Sequence, residues 1–372
     1  MRASDAILVA GALVVAAGTL RPEPAEKPFF ESRVIFAAGG ARFARNAYPT
    51  VAALPDGRLF LTWSASDGAK IRIVGAFSRD GGKTWGAPEE LIDTPGFGDH
   101  DPNIIVTPDE VQVYSTSTPM PQKQISYSET WKTARKLDGS SWSAPVRMPQ
   151  HRKYLVGKVH AGLTLADGTL LMPYSWDIPA EEGRPVATEG RMNLKSGALR
   201  SRDGGRTWTP GGDMYADPPR ASEHAAGGVD EPAMALLPSG EVYALLRTPD
   251  VWMYESRSRD GGRTWSVPKP SKLQGHNAPA ALCRLRGLPD VLAVWDYSRR
   301  DRWPLAAALS RDGCASWSKP KTLANPAGSQ ASYPTATQAP DGALIAIWQQ
   351  DRPDRKGRDL WIARFNRAWV LQ

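Results

Sequence analysis

Hydrophobic and polar positions along this chain fall into a block that recurs. Each block is an apolar strand, a turn rich in Pro, Asp or Gly, and a second apolar strand. It reads YPTVAALPDGRLFLTW from Tyr48, HAGLTLADGTLLMPYSW from His160, EPAMALLPSGEVYALLR from Glu231 and YPTATQAPDGALIAIW from Tyr333. DPNIIVTPDEVQVYS from Asp101 and APAALCRLRGLPDVLAVW from Ala278 keep the same frame. Short apolar runs separated by such turns read as β-hairpins. Long amphipathic helical patterns are absent, so the chain is expected to be all-β.

A second motif follows the hairpins. It is SRDGGKTW at Ser78–Trp85, SRDGGRTW at Ser201–Trp208 and Ser258–Trp265, and SRDGCASW at Ser310–Trp317. The last three copies start 57 and 52 residues apart, and the first gap of 123 leaves room for LDGSSW at Leu137–Trp142 as a degenerate copy. Asp-Gly-Gly is turn chemistry, with Asp bonding nearby backbone N–H groups and Gly supplying positive φ. The Trp re-enters the sheet and covers apolar surface. Six hairpins, five of them followed by this motif, predict six four-stranded blades. The last blade has no such motif after DLWIARFN, and Phe29–Ala37 is expected to add its missing strand and close the ring.

Composition agrees with a turn-rich β fold: 34 Gly, 32 Pro and 14 Trp in 372 residues. The net charge of +7 is spread among acidic residues with no basic run, which argues against nucleic acid and gives weak support to an anionic ligand. Residues 1–25 carry Arg2 and an uncharged run from Ala6 to Leu20, the pattern of a signal peptide or N-terminal anchor. Export to the periplasm or outside the cell is therefore expected, with membrane contact only through such an anchor and residues 26–372 forming the propeller. Cys283 and Cys314 read as free thiols, not a disulfide framework. The Asp99-His100-Asp101 cluster lacks a second ligand group at metal spacing, so no metal or cofactor is expected. A monomer is expected.

The eight-residue motif resembles the Asp box, or bacterial neuraminidase repeat, and the chain resembles the exo-α-sialidases. That resemblance implies a six-bladed β-propeller of sialidase type, with the boxes peripheral and structural. It is tightest in VDEPAMALLPSGEVYALLRT, where Glu231 matches the family's base and Arg247 an arginine that binds the sugar carboxylate. ASYPTATQAPDG puts Tyr333 at the place of the family's tyrosine nucleophile. A neutral phenol suits a carboxylate-bearing sugar, which would repel a carboxylate nucleophile; with an ordinary pKa of about 10 it needs a base. Arg302 matches a third-arginine position, ahead of Arg300, and Asp67 matches the general acid. In ARNAYPTV, Ala47 stands where the family has its first-blade arginine, leaving Arg45 as a substitute two residues earlier. Asp101, His160 and Asn277 head or precede inner strands and are further pocket candidates. The function implied is a retaining exo-glycoside hydrolase acting on a glycan with a terminal acidic sugar. Alternatives are a carbohydrate-binding propeller without activity, or a glycosidase or polysaccharide lyase acting on uronic acids.

Overall fold

The computed structural model describes residues 26–39, 43–121, 127–184, 192–222, 224–326, 328–354 and 356–372. The segment expected as a signal peptide or anchor, 1–25, lies outside the described residues. Among the described residues no helix is long and apolar enough to cross a membrane.

Six antiparallel blades surround one axis. The first runs from inside to outside as Arg45–Ala53, Leu59–Ser66, Ile71–Ser78 and Glu89–Ile92, and the second as Phe97–Val106, Glu110–Pro119, Glu129–Lys136 and Val146–Met148. In the fourth the order is Asp230–Leu236, Val242–Arg247, Trp252–Ser258 and Lys269–Gln274; in the fifth it is Ala281–Arg284, Val291–Asp296, Leu305–Ser310 and Lys321–Ala324. The sixth has Ala331–Gln338, Leu344–Asp351 and Arg358–Phe365, and its outer strand is Phe30–Phe36, paired antiparallel with Arg358–Phe365. Beginning and end of the propeller are thereby stitched together, which removes two exposed edges. Asn366 completes the closure by accepting from the Phe29 and Trp369 backbone N–H groups at 3.1 and 3.0 Å.

The third blade departs from the simple hairpin expected at His160. Its inner strand is broken into His160–Ala161, which pairs in parallel with the second blade, and Leu163–Thr164, which pairs with Leu170–Asp177. Gly162 sits at the break, where a Cβ would fall 2.1 Å from Ile105 Cδ1 and 2.4 Å from the Leu171 carbonyl.

Each interface between neighbouring blades holds one apolar cluster, and a box tryptophan closes five of the six. Trp85 caps the sixth–first interface, Trp142 the first–second, Trp208 the second–third, Trp265 the third–fourth and Trp317 the fourth–fifth. The fifth–sixth interface has no box. Trp369, on the short C-terminal helix Arg367–Leu371, packs there instead, stacked on Phe30 at 4.6 Å.

The boxes are locally self-sufficient. In Ser258–Trp265, Asp260 Oδ1 accepts from the backbone N–H groups of Arg263 and Thr264, and Oδ2 accepts from the Thr264 hydroxyl. Ser258 Oγ donates to Asp260 and accepts from Gly262 N. The same pattern recurs at Asp80, Asp203 and Asp312. These bonds draw the four carboxyls below the usual range, Asp260 and Asp312 to about 2. In the last box Cys314 adopts φ +67°, the conformation its counterparts Gly82, Gly205 and Gly262 adopt as glycines.

Candidate active site

Among the described residues, each blade has one residue other than glycine with positive φ in its inner strand or, in the fifth blade, in the loop that leads into it. They are Tyr48, Asp101, His160, Glu231, Asn277 and Tyr333, one from each of the six blades, with φ between 45° and 88°. Four of them precede proline, which disfavours the α region for the preceding residue. In the same four blades the hairpin register slips at this point, between Ala47 and Thr50, His100 and Asn103, Asp230 and Ala233, and Ser332 and Thr335. A left-handed residue of this kind costs on the order of 1–3 kcal/mol, and strain of that size gathers at functional sites. Here the sequence spends it six times around one axis, on six side chains that bear chemistry.

Arg247 links three members of this ring. Its Nη1 donates to Glu231 Oε2 at 2.9 Å and to Tyr333 Oη at 3.3 Å, while Nε and Nη2 donate to Asn277 Oδ1 at 3.0 and 2.7 Å. Glu231 and Arg247 lie together at the open end of one hairpin, where Asp230 pairs with Arg247 in the register. Arg302 donates to the Asn277 carbonyl at 2.7 Å and sits 5.5 Å from the centre of the Tyr333 ring. Tyr333 meets Tyr48 edge-on at 4.7 Å between ring centres. The structure thus brings Glu231, Arg247, Asn277, Arg302 and Tyr333 together.

Burial sets the electrostatics. Tyr333 is 7% exposed, and loss of water pushes its phenol well above the ordinary value; Glu231 adds to the rise, and Arg247 and Arg302 oppose it. Asp101 is raised to about 6 by burial and by Glu231, against Lys158. Asp230 is raised to about 7 by burial and then by Glu231, against Arg247. Lys158, with none of its surface exposed, is lowered to about 8 by burial although Asp101 favours its charge. His160 is buried with both ring nitrogens unbonded among the described residues, and burial lowers it to about 3, so it is a neutral imidazole.

Two residues singled out from the sequence lie differently. Asp67 is bound within an Asp-Gly turn: its Oδ1 accepts from the Ala69 and Lys70 N–H groups at 2.9 and 2.8 Å, and its Oδ2 pairs with Arg72. These contacts lower its pKa, the backbone bonds from Lys70 and Ala69 first, which keeps it ionised where a general acid holds a proton. Arg45 is exposed at the start of the first inner strand, opposite Ser66 and beside Arg358. Ala47 is buried opposite Ser64, so no guanidinium stands at that position.

Sequence reading missed Tyr48, Asp230, Lys158 and Arg358. Tyr48 carried a signal, since it precedes proline at the head of its hairpin just as Tyr333 does. Arg358 comes from a third strand, is buried, and bonds Asp351 at 2.6 Å near Tyr48; no inner-strand pattern points to it. Cys283 and Cys314 are both free. Among the described residues no group of His, Cys, Asp and Glu is placed to hold a metal.

Residues 57–346 match the BNR repeat-like domain family. No curated protein matches the chain. Among solved structures, a Dyadobacter fermentans protein of unknown function is similar at TM-score 0.72 and 20% identity, over 90% of this chain and 98% of that one. The Trypanosoma rangeli sialidase in complex with the inhibitor DANA is similar at TM-score 0.71 and 16% identity, over 91% of this chain and 60% of that one. The intramolecular trans-sialidase from Ruminococcus gnavus is similar at TM-score 0.69 and 16% identity, over 92% and 98%. This chain therefore spans about three fifths of the Trypanosoma enzyme's length. Identities this low speak for the fold. The chain belongs to the BNR repeat-like domain family, and its fold is the β-propeller that these solved sialidases also adopt.

Proposed function

We propose that the protein is a sialidase-type exo-glycoside hydrolase that releases a terminal acidic sugar with retention. The observation that carries this reading is the Arg247 guanidinium, whose one nitrogen bonds both the Glu231 carboxylate and the Tyr333 phenol. A binding pocket has no need of a buried base beside a buried phenol. In the reaction, Tyr333 Oη attacks the anomeric carbon as its proton passes to Glu231, and the glycosidic C–O bond breaks. Water then hydrolyses the tyrosyl glycoside with Glu231 as the shuttling base. This is the recognised alternative to the two-carboxylate scheme. Glu231 is essential because burial holds the phenol protonated.

Arg247 and Arg302 are the guanidiniums that would meet a substrate carboxylate, which would have to take over bonds that Arg247 makes to Asn277 and Arg302 to the Asn277 carbonyl. With Ala47 and Ser64 on the first blade, the clamp has two guanidiniums, which suits uronic acids as well as sialic acid. Asp67 is the acid that the family resemblance offers for the leaving oxygen; taking that role requires substrate to displace Arg72.

The test is turnover of a fluorogenic α-sialoside and a panel of fluorogenic uronides by the wild type and Tyr333→Phe. The reading expects release from at least one of them and its loss in the variant. Sugar binding without turnover would instead favour a binding propeller, and an unsaturated product a lyase. Secretion through residues 1–25 is part of the same proposal, tested by the N-terminal sequence of the protein recovered outside the cytoplasm.

A further inference from the structure

The second strand of each blade brings one residue to the level of the ring. Across the bulge, Ser64 pairs with Ala47, Thr116 with His100, Arg247 with Asp230 and Gln349 with Ser332. The third and fifth blades place Ser175 and Asp296 there, each directly after the large buried aromatic that marks this strand, Tyr174 and Trp295, as Trp63 precedes Ser64 and Trp348 precedes Gln349. Three of these six residues reach the ring residue of the next blade. Ser175 Oγ accepts from Glu231 N at 3.1 Å, Gln349 Oε1 accepts from Tyr48 N at 2.9 Å, and Arg247 bonds Asn277.

The other three are buried and hold polar atoms that bond nothing among the described residues: Ser64 Oγ, Thr116 Oγ1 and both carboxyl oxygens of Asp296. Asp296 is the extreme case. It is 2% exposed, and the charge acting on it is Arg302, the same guanidinium that lies over Tyr333. Its strand packs against Ala331–Gln338, which carries Tyr333. Native proteins bond almost all their buried polar atoms, and a carboxyl left without partners is among the most costly exceptions. Burial raises the carboxyl well above its ordinary range, and Arg302 opposes the rise; either form of the group offers oxygens that can accept from a sugar hydroxyl.

We propose that Asp296 is a substrate-contacting residue, whose carboxyl group hydrogen-bonds a hydroxyl of the terminal sugar while Arg302 and Arg247 hold that sugar's carboxylate. The ligand class is therefore a hydroxylated sugar acid, bound with one hydroxyl toward the seam of the fifth and sixth blades. This rests on the hydrolase reading above and adds a specificity group to it.

The experiment compares the full chain with Asp296→Asn and Asp296→Leu, measuring kcat, KM and Tm on the fluorogenic α-sialoside and uronides, with Tyr333→Phe alongside. A site built to hydrogen-bond a substrate hydroxyl loses about tenfold or more in kcat/KM when its partner becomes apolar. Asp296→Leu is expected to show that loss and a Tm higher by about 2–4 °C, because it removes an unpartnered buried carboxyl. Asp296→Asn, which keeps a donor and an acceptor, is expected to stay within a few-fold of wild type. A lower Tm in Asp296→Leu, or unchanged kcat/KM, would overturn the assignment. Turnover that Tyr333→Phe abolishes and Asp296→Leu leaves intact would overturn it alone. Absence of any turnover in the wild type would overturn it together with the hydrolase reading.

Discussion

The Asp boxes and the axial ring are both repeats of one backbone feature, but they treat their side chains in opposite ways. In the boxes nearly the same residues return, and the carboxylate bonds close within five residues. Its aspartate sits at low pKa because its own turn satisfies it. In the ring one conformation returns six times with almost no residue repeated: Tyr, Asp, His, Glu, Asn, Tyr. Bonds there run between blades, as from Arg247 in the fourth to Asn277 in the fifth and Tyr333 in the sixth. Asp101 in the ring, and Asp230 and Asp296 beside it, sit high because burial outweighs the cations near them. In a repeat protein, what is repeated holds the scaffold, and what varies at a repeated position is where the chemistry is placed.

The contrast can be broken most forcefully at Arg247. Arg247→Met leaves Glu231 and Asp230 buried without their cation and should cost about 3–5 kcal/mol. Urea unfolding should show the loss, and turnover should vanish with it. On the scaffold side, Gly205→Ala places a Cβ 2.3 Å from Gln112 Oε1 and 2.8 Å from Tyr114 Oη at φ +80°. Overpacking and backbone strain together predict a loss of about 2–4 kcal/mol, with kcat/KM of the folded protein unchanged.

How much of this was legible in the sequence follows the same division. Box hairpins announce themselves because their bonds are local, so SRDGG alone implies the turn, and the spacing implies the blades. Closure by Phe30–Phe36 was legible from the missing outer strand. The break at Gly162 was not, since it depends on Ile105 and Leu171 crowding the backbone from other strands. Glu231, Arg247 and Tyr333 were legible through the resemblance to the sialidases, and Glu231 and Arg247 also as the two strand ends at one rim of a single hairpin. Lys158, Asp230 and Asp296 were not, because their importance lies in what their neighbours fail to satisfy, and only packing reveals that. Asp67 shows the reverse case: a carboxylate in the expected segment whose turn and Arg72 already engage it.

A smaller effect sharpens the electrostatic side. Asp230 is raised to about 7 in the fold, above its unfolded value near 4. The folded protein therefore binds the extra proton, and the stability this confers is present at acid pH and lost as pH rises from about 4 through 7. Asp230→Asn should flatten that decline when Tm is followed from pH 5 to 7.5. The boxes should behave in the opposite sense. Asp260, lowered to about 2, contributes stability above pH 4 that fades as pH falls through 2. Asp260→Ala should cost about 1 kcal/mol at pH 7, the usual worth of a lost cap-like side-chain bond, without changing turnover.

The central claim is that the ring places Tyr333 to form a covalent bond with the sugar. Incubation with a 2,3-difluorinated sialic or uronic acid, followed by peptide mass spectrometry, tests it directly. The account predicts one glycosyl adduct on the peptide containing Tyr333, absent from Tyr333→Phe. An adduct on another residue, or one that persists in Tyr333→Phe, would contradict it.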